Sequence, residues 1–135
     1  MGERERKPNK PPQYHDKDGQ PTIKALVELK KRAEGIVWGL KEVESLVDFL
    51  KLLWSPSGWG VVFRKFPAEG LWGLALCTGG YAPNETIIET LKETGFWRFN
   101  WKAYLKGGVY ILSNMQGGKV DFEWILNPKI NQVNL

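Results

Sequence analysis

The chain contains 135 residues, of which 42% are hydrophobic and 25% charged, and its formal net charge is +4 at pH 7. This length and composition are typical of one globular domain around one core, which excludes a disordered or multidomain chain. The single cysteine, Cys77, excludes an internal disulfide framework and a cysteine-based zinc site. The basic charge favours a polyanionic partner.

Residues 1–20 contain nine charged side chains and three prolines, and we predict that they form a flexible charged arm. The arm lacks the apolar segment of a signal peptide. No apolar run in the chain approaches the roughly 20 residues that a membrane helix needs. We therefore expect a cytoplasmic protein with no membrane partner.

Two helices are predicted next. Thr22 is a favourable N-cap, and apolar residues recur behind it at helical spacing, which predicts a helix over residues 22–34. A second helix is predicted over residues 43–54, where an apolar face from Val43 to Trp54 lies opposite a charged face.

The rest of the chain alternates short apolar runs with glycine-rich turns. The predicted elements are strands at residues 59–66, 71–77, 96–106, 109–114 and 119–126 and a helix at residues 84–94. We expect an α+β fold in which an antiparallel sheet of four to five strands has helices packed on one face. A single domain would then span residues 21–126, followed by a polar tail at residues 127–135.

The sequence offers no catalytic constellation. His15 is the only histidine and lies in the predicted arm, so acid–base or metal chemistry lacks its commonest residue. The Gly-Gly-Lys motif ending at Lys119 is followed by Val120 and does not match a phosphate-binding loop. Asp121 and Glu123 share one face of a predicted strand, which we interpret as its solvated side. We expect no cofactor, no metal and no enzymatic activity.

The predicted strand at residues 96–106 has two faces of different composition. One face, with Trp97, Phe99 and Trp101, is interpreted as core. The other face combines aromatic rings with cations and one amide: Phe96, Arg98, Asn100, Lys102, Tyr104 and Lys106. That combination is typical of surfaces that stack nucleic-acid bases and contact phosphates.

The first predicted hairpin, paired across a four-residue loop, extends this surface. Its bulky face would meet the helices through Trp59, Val61, Phe63, Trp72, Leu74 and Leu76. Its other face would be a shallow trough over Gly60, Gly73 and Ala75, edged by Arg64 and Phe66, in which a flat base could lie.

Tyr110 is expected on the open side beside Tyr104. This pairing requires a three-residue turn or a bulge near Gly107, because a two-residue turn gives the wrong parity. A one-residue slip would exchange the faces, so Trp72 and Trp97 are kept as further stacking candidates.

Two segments carry a family resemblance. They are Ser57-Gly58-Trp59-Gly60-Val61-Val62-Phe63-Arg64 and Leu91-Lys92-Glu93-Thr94-Gly95-Phe96-Trp97-Arg98. With the order of elements over residues 22–126, they resemble the ThermoDBP-type single-stranded DNA-binding proteins of hyperthermophilic archaea. The resemblance implies an antiparallel sheet backed by helices, with an aromatic and basic cleft that takes single strands largely without regard to sequence. It places the stacking and phosphate-contacting roles on Arg64, Phe66, Trp72, Phe96, Arg98, Lys102 and Tyr104.

One departure from the family concerns assembly. Its founding type is known for a C-terminal helical zipper, whereas the tail here is short, polar and without heptads. A homo-oligomer would need another interface, for example the apolar helix at residues 43–54.

The leading hypothesis is a non-enzymatic protein that binds single-stranded DNA or RNA through an open sheet face. The candidate nucleic-acid-binding residues are Arg64, Phe66, Trp72, Phe96, Arg98, Lys102, Tyr104 and Tyr110. The alternative is a protein-interaction or assembly module whose surplus tryptophans form an oligomer interface.

Overall fold

The computed structural model describes residues 14–55, 58–116 and 121–126. Within them the elements are α1 (Ile23–Arg32), α2 (Leu40–Leu53), β1 (Val61–Phe66), β2 (Leu71–Cys77), α3 (Ala82–Leu91), α4 (Gly95–Asn100), β3 (Trp101–Leu105), β4 (Val109–Ser113) and α5 (Phe122–Leu126). Most of the predicted arm, the Gly-Gly-Lys motif and the predicted tail lie outside the described residues.

The four strands form one antiparallel sheet in the order β1-β2-β4-β3. Phe66 pairs with Leu71 across the predicted four-residue turn. Leu105 pairs with Val109, so the turn between β3 and β4 has three residues. A turn of this length was predicted as the condition for Tyr104 to lie beside Tyr110, and these two residues are paired. The prediction of an α+β fold with a four- to five-stranded antiparallel sheet is confirmed.

The main core lies between one face of this sheet and helices α1 to α4. Thr22 caps α1 by accepting a hydrogen bond from the Ala25 amide, as its position predicted. The apolar face of α2, from Val43 to Trp54, is buried in this core. It is therefore not available as an oligomer interface, which corrects that alternative.

The folded domain also includes residues that were assigned to the charged arm. The Tyr14 ring contacts Phe49 of α2 edge to face at 5.3 Å. His15 Nε2 lies 2.8 Å from the carbonyl oxygen of Leu53. These contacts hold the segment beginning at Tyr14 against α2.

The predicted strand at residues 96–106 is wrong in its first half, which forms α4. Thr94 caps this helix, and the Phe96 amide donates to the Ala33 carbonyl at 2.9 Å, which ties its first turn to the end of α1. The Asn100 side chain donates to the Phe96 carbonyl one turn back. Over so short a segment, alternating aromatic and polar residues are compatible with the period of a strand and with that of a helix. The Thr94 cap and the contact with the end of α1 stabilise the helix.

The predicted last strand is also wrong in the part that is described, because residues 122–126 form α5. Asp121 caps α5 by accepting from the Trp124 amide at 2.8 Å. This short helix packs on the sheet face opposite to α1–α4, where Trp124 and Ile125 form a second, smaller core with Ala75 and Ile111. The face expected to be open is thus partly covered by the chain itself.

Candidate functional site

The most concentrated group of accessible aromatic rings lies where α4 meets β3 and β4. Trp97 comes from α4, Trp101 and Tyr104 from β3, and Tyr110 from β4. With Lys92 they line a depression of about 450 Å³, which we call the aromatic groove. The groove lies on the helix-covered side of the sheet, at the edge that the helices leave uncovered, and not on the face that was expected to be open.

The rings of the aromatic groove are arranged around Tyr110. Its ring centroid lies 4.8 Å from that of its cross-strand partner Tyr104 and 5.6 Å from that of Trp97, with interplanar angles of 56° and 59°. Tyr104 is 53% exposed and Trp101 is 45% exposed. Two rings therefore present accessible surface to a ligand, while Tyr110 is supported from both sides.

The electrostatic environment of the groove is mixed. Lys92 Nζ lies 5.5 Å from the Tyr110 ring centroid and 3.3 Å from a carboxylate oxygen of Glu89. Burial raises the pKa of Tyr110 above its ordinary value of 10.0, Lys92 opposes this shift, and Glu85 adds to it. Tyr110 is therefore a neutral phenol at physiological pH. Because two carboxylates of α3 lie near it, the groove suits an uncharged flat ring better than a phosphate.

Three further cations lie close to groove residues along the chain. Arg98 follows Trp97 in α4, Lys102 follows Trp101 in β3, and Lys106 begins the β3–β4 turn. Arg98 and Lys106 are exposed and Lys102 is half-buried. Within residues 14–55, 58–116 and 121–126, none of the three forms an ion pair. Their charges are therefore not neutralised by a carboxylate partner in this part of the chain.

Two of the predicted nucleic-acid-binding residues are in the core, which corrects their assignment. Trp72 is fully buried and donates its indole N–H to the Trp38 carbonyl at 2.8 Å. Phe96 is also fully buried, stacked 5.8 Å from Trp72. Neither ring can contact a base, because side chains of α2 and α3 surround them in the same core.

Arg64 and Phe66 are separated from the groove, since β1 and β3 are opposite edges of the sheet. Phe66 stacks face to face on Trp124, with ring centroids 4.1 Å apart and planes within 7°. The trough predicted beside it is filled, because Ile125 lies directly over Gly73. The Arg64 side chain donates to the Phe63 carbonyl, and burial lowers its pKa. These two residues do not join a site with Tyr104 and Tyr110.

Three surface aromatics had been assigned to the core. Trp101 and Phe99 were expected inside because they alternate with cations, yet both are exposed. Trp59 was expected to face the helices and is the most exposed of the seven tryptophans. Lys92 was missed altogether, although its place three residues after Glu89 on the polar side of a predicted helix marked it as a surface cation.

Comparison with family models, with curated proteins and with solved structures found no match to this chain. Among the described residues, no helix is both long and apolar enough to cross a membrane. In the same part of the chain, no three metal-ligating side chains come together in a cluster that could hold a metal ion.

Proposed function

We propose that this protein binds single-stranded nucleic acid, DNA or RNA, without catalysing a reaction and largely without regard to sequence. Bases would stack on Trp101 and Tyr104 in the aromatic groove, and phosphates would contact Arg98, Lys102 and Lys106, which lie close to the groove residues along the chain. The observation that carries the proposal is the convergence of four aromatic rings in one accessible groove. Three cations close to the groove residues along the chain form no ion pair within the described residues and add to it.

Stacking on the exposed rings of the groove favours unpaired bases. Both faces of a base in a duplex are covered by its neighbours, so a ring that stacks on a base needs a strand whose bases can be turned out. Stacking on an aromatic side chain contributes about 1–3 kcal/mol per base and is tolerant of base identity, because every base has a π face. Two accessible rings thus supply useful affinity without sequence readout.

These three cations add a salt-dependent contribution. Each single-strand phosphate that a cation neutralises contributes about −0.7 to the slope of log affinity against log salt concentration. If Arg98, Lys102 and Lys106 each contact one phosphate, the slope is about −2. The resemblance to ThermoDBP-type proteins agrees with this proposal and stays a prediction.

The test is a titration with single-stranded and duplex oligonucleotides, followed by tryptophan fluorescence at two salt concentrations. We expect saturable quenching by single strands, because Trp97 and Trp101 line the groove. Tyr104→Ala should weaken binding by about fivefold to 100-fold. The matched control is Phe99→Ala, which removes an aromatic ring that is 57% exposed on α4 but lies outside the groove.

Two results contradict the proposal. The first is an absence of binding to any oligonucleotide at low salt. The second is equal affinity of the Tyr104→Ala, Phe99→Ala and wild-type proteins for a single strand, which would place binding elsewhere on the molecule.

A protein-interaction module is the second candidate, and a different surface favours it. Ile23 and Val27 lie one turn apart on α1 and are 81% and 60% exposed, and Ile36 and Val37 after α1 are also exposed. A contact through these side chains is apolar and would persist at high salt. Sedimentation of the wild type and of an Ile23→Lys variant tests this candidate. The oligomeric state of the protein should differ between the two only if this apolar surface mediates self-association.

A further inference from the structure

Trp59 is the most exposed aromatic side chain of the described residues, with 76% of its surface accessible. It lies in the connection between α2 and β1. A tryptophan left this exposed on a soluble domain is typical of a residue that a ligand or partner covers. The aromatic groove does not include it.

The backbone that presents Trp59 is held in place. The Gly60 carbonyl accepts from the Cys77 amide at 2.8 Å, and the Val61 amide donates to the Gly58 carbonyl at 3.1 Å. Gly60 has a φ of 101°, and a Cβ there would lie 2.7 Å from the Cys77 carbonyl oxygen, so only glycine fits. Because the backbone next to Trp59 is fixed in this way, little backbone freedom is lost when a ligand covers the Trp59 ring.

A depression of about 490 Å³ lies between Trp59 and Tyr81, which is 46% exposed. Asn84 lies in its wall, but both polar atoms of its amide are hydrogen-bonded to the backbone of Ser55. The Thr78 hydroxyl in the same lining is also hydrogen-bonded, to Glu85 and to the Gly80 amide. The accessible rings of Trp59 and Tyr81 are therefore the main binding elements of this depression. On the other side of Trp59, Lys51 lines a second depression and supplies a cation.

This depression lies at the same end of the sheet as the aromatic groove. Val61, Leu76, Tyr110 and Tyr104 form one row of paired residues across the four strands. Trp59 precedes Val61 by two residues, so it lies close to this row, just before β1 begins. With about 4.8 Å between neighbouring strands, β1 and β4 are about 10 Å apart, a gap that an extended strand crosses in a few nucleotides.

We infer that Trp59 and Tyr81 form a second base-stacking subsite for the same nucleic-acid strand that the aromatic groove binds. The inference rests on the proposed function and extends the site from one edge of the sheet towards the other. The occupant is a base because the subsite offers two accessible aromatic rings and an Asn84 amide that is already hydrogen-bonded, while Lys51 lies in the adjoining depression. Lys51 would contact the phosphate next to that base.

The test compares end-labelled single strands of about 2 and about 12 nucleotides, because the shorter strand cannot reach across about 10 Å from the aromatic groove to Trp59 and the longer strand can. Affinities are measured by fluorescence anisotropy for the wild type, Trp59→Ala, Tyr104→Ala and the control Phe99→Ala. We expect Trp59→Ala to bind the longer strand about tenfold more weakly and the shorter strand unchanged, while Tyr104→Ala weakens both. Because the Trp59 side chain is exposed, the melting temperature of Trp59→Ala should match that of the wild type.

Other outcomes overturn the inference in distinguishable ways. Unchanged affinity of Trp59→Ala for the longer strand, with lost affinity in Tyr104→Ala, refutes the second subsite and leaves the aromatic groove. A wild type that binds neither strand refutes both sites. If Trp59→Ala instead converts a dimer to a monomer with unchanged affinity, Trp59 belongs to a contact between two copies of the chain.

Discussion

Replacing Gly73 with alanine tests the unexpected position of α5 on the sheet. A Cβ at this position would lie 2.4 Å from Cγ1 and 2.6 Å from Cδ1 of Ile125. Carbon atoms in contact lie about 3.5 Å apart or more, so the fully buried Ile125 would have to retreat by about 1 Å. Overpacking of this kind costs about 1–3 kcal/mol.

The substitution also has a favourable contribution, because alanine is about 0.5–1 kcal/mol better than glycine within a strand. The net destabilisation of Gly73→Ala is therefore about 0–2.5 kcal/mol, with a midpoint of about 1 kcal/mol. For a chain of this size, the midpoint value lowers the melting temperature by about 3–5 °C. Thermal unfolding followed by circular dichroism measures the change.

Two further variants make the result specific. Gly35→Ala is the matched control, because its Cβ would meet Trp38 at an ordinary distance of 3.8 Å, and it should be neutral or slightly stabilising. Adding Ile125→Ala to Gly73→Ala should cost less than the sum of the two single changes, because the clash is gone. If Gly73→Ala raises the melting temperature as Gly35→Ala does, Ile125 does not cover Gly73 and the trough is open.

Three other predictions concern the core, a helix end and the groove. Trp72→Phe should lower the free energy of unfolding by about 2–4 kcal/mol, since it leaves a cavity and an unpaired Trp38 carbonyl. The nucleic-acid affinity of the folded variant should equal that of the wild type. A loss of affinity without a loss of stability would show that Trp72 belongs to the binding surface. Thr22→Ala should cost about 1 kcal/mol in a urea melt, because the Ala25 amide loses its capping acceptor, and an unchanged midpoint would contradict this cap. Tyr110 should ionise above pH 10.0, so its stabilising contribution is present below pH 10.0 and is lost as pH rises through its folded pKa. The difference between the wild type and Tyr110→Phe in an ultraviolet titration measures the ionisation of Tyr110. Ionisation below pH 10.0 would refute the prediction.

The sheet was largely predictable because its signals are local. The turn after Phe66 and the parity of the flanking residues set the register of the first hairpin, so the inward side of Val61, Phe63, Trp72, Leu74 and Leu76 was correct. The alternation of side chains along β3 and β4 likewise required a three-residue turn between them if Tyr104 was to lie beside Tyr110. Both the turn and this pairing are observed.

The candidate site was less predictable because aromatic residues occur both in cores and on surfaces, so the residue type does not show whether a ring is buried or exposed. Phe96 and Trp101 belong to the same run of alternating rings and cations, yet the first is fully buried and the second is 45% exposed. The difference arises because α4 begins after Thr94 and rotates Phe96 towards Trp38, whose ring centroid lies 4.8 Å away. No pattern along the chain shows which ring another helix will cover.

The α+β class and the hairpins could be predicted from the amino-acid sequence, because periodicity and turn residues are properties of short segments. Which aromatic rings reach solvent and which sheet face is available followed from the packing of the helices on the sheet. Those outcomes depend on where α4 and α5 pack. Packing is set by contacts between residues far apart in the chain, such as Phe96 with Ala33 and Ile125 with Gly73.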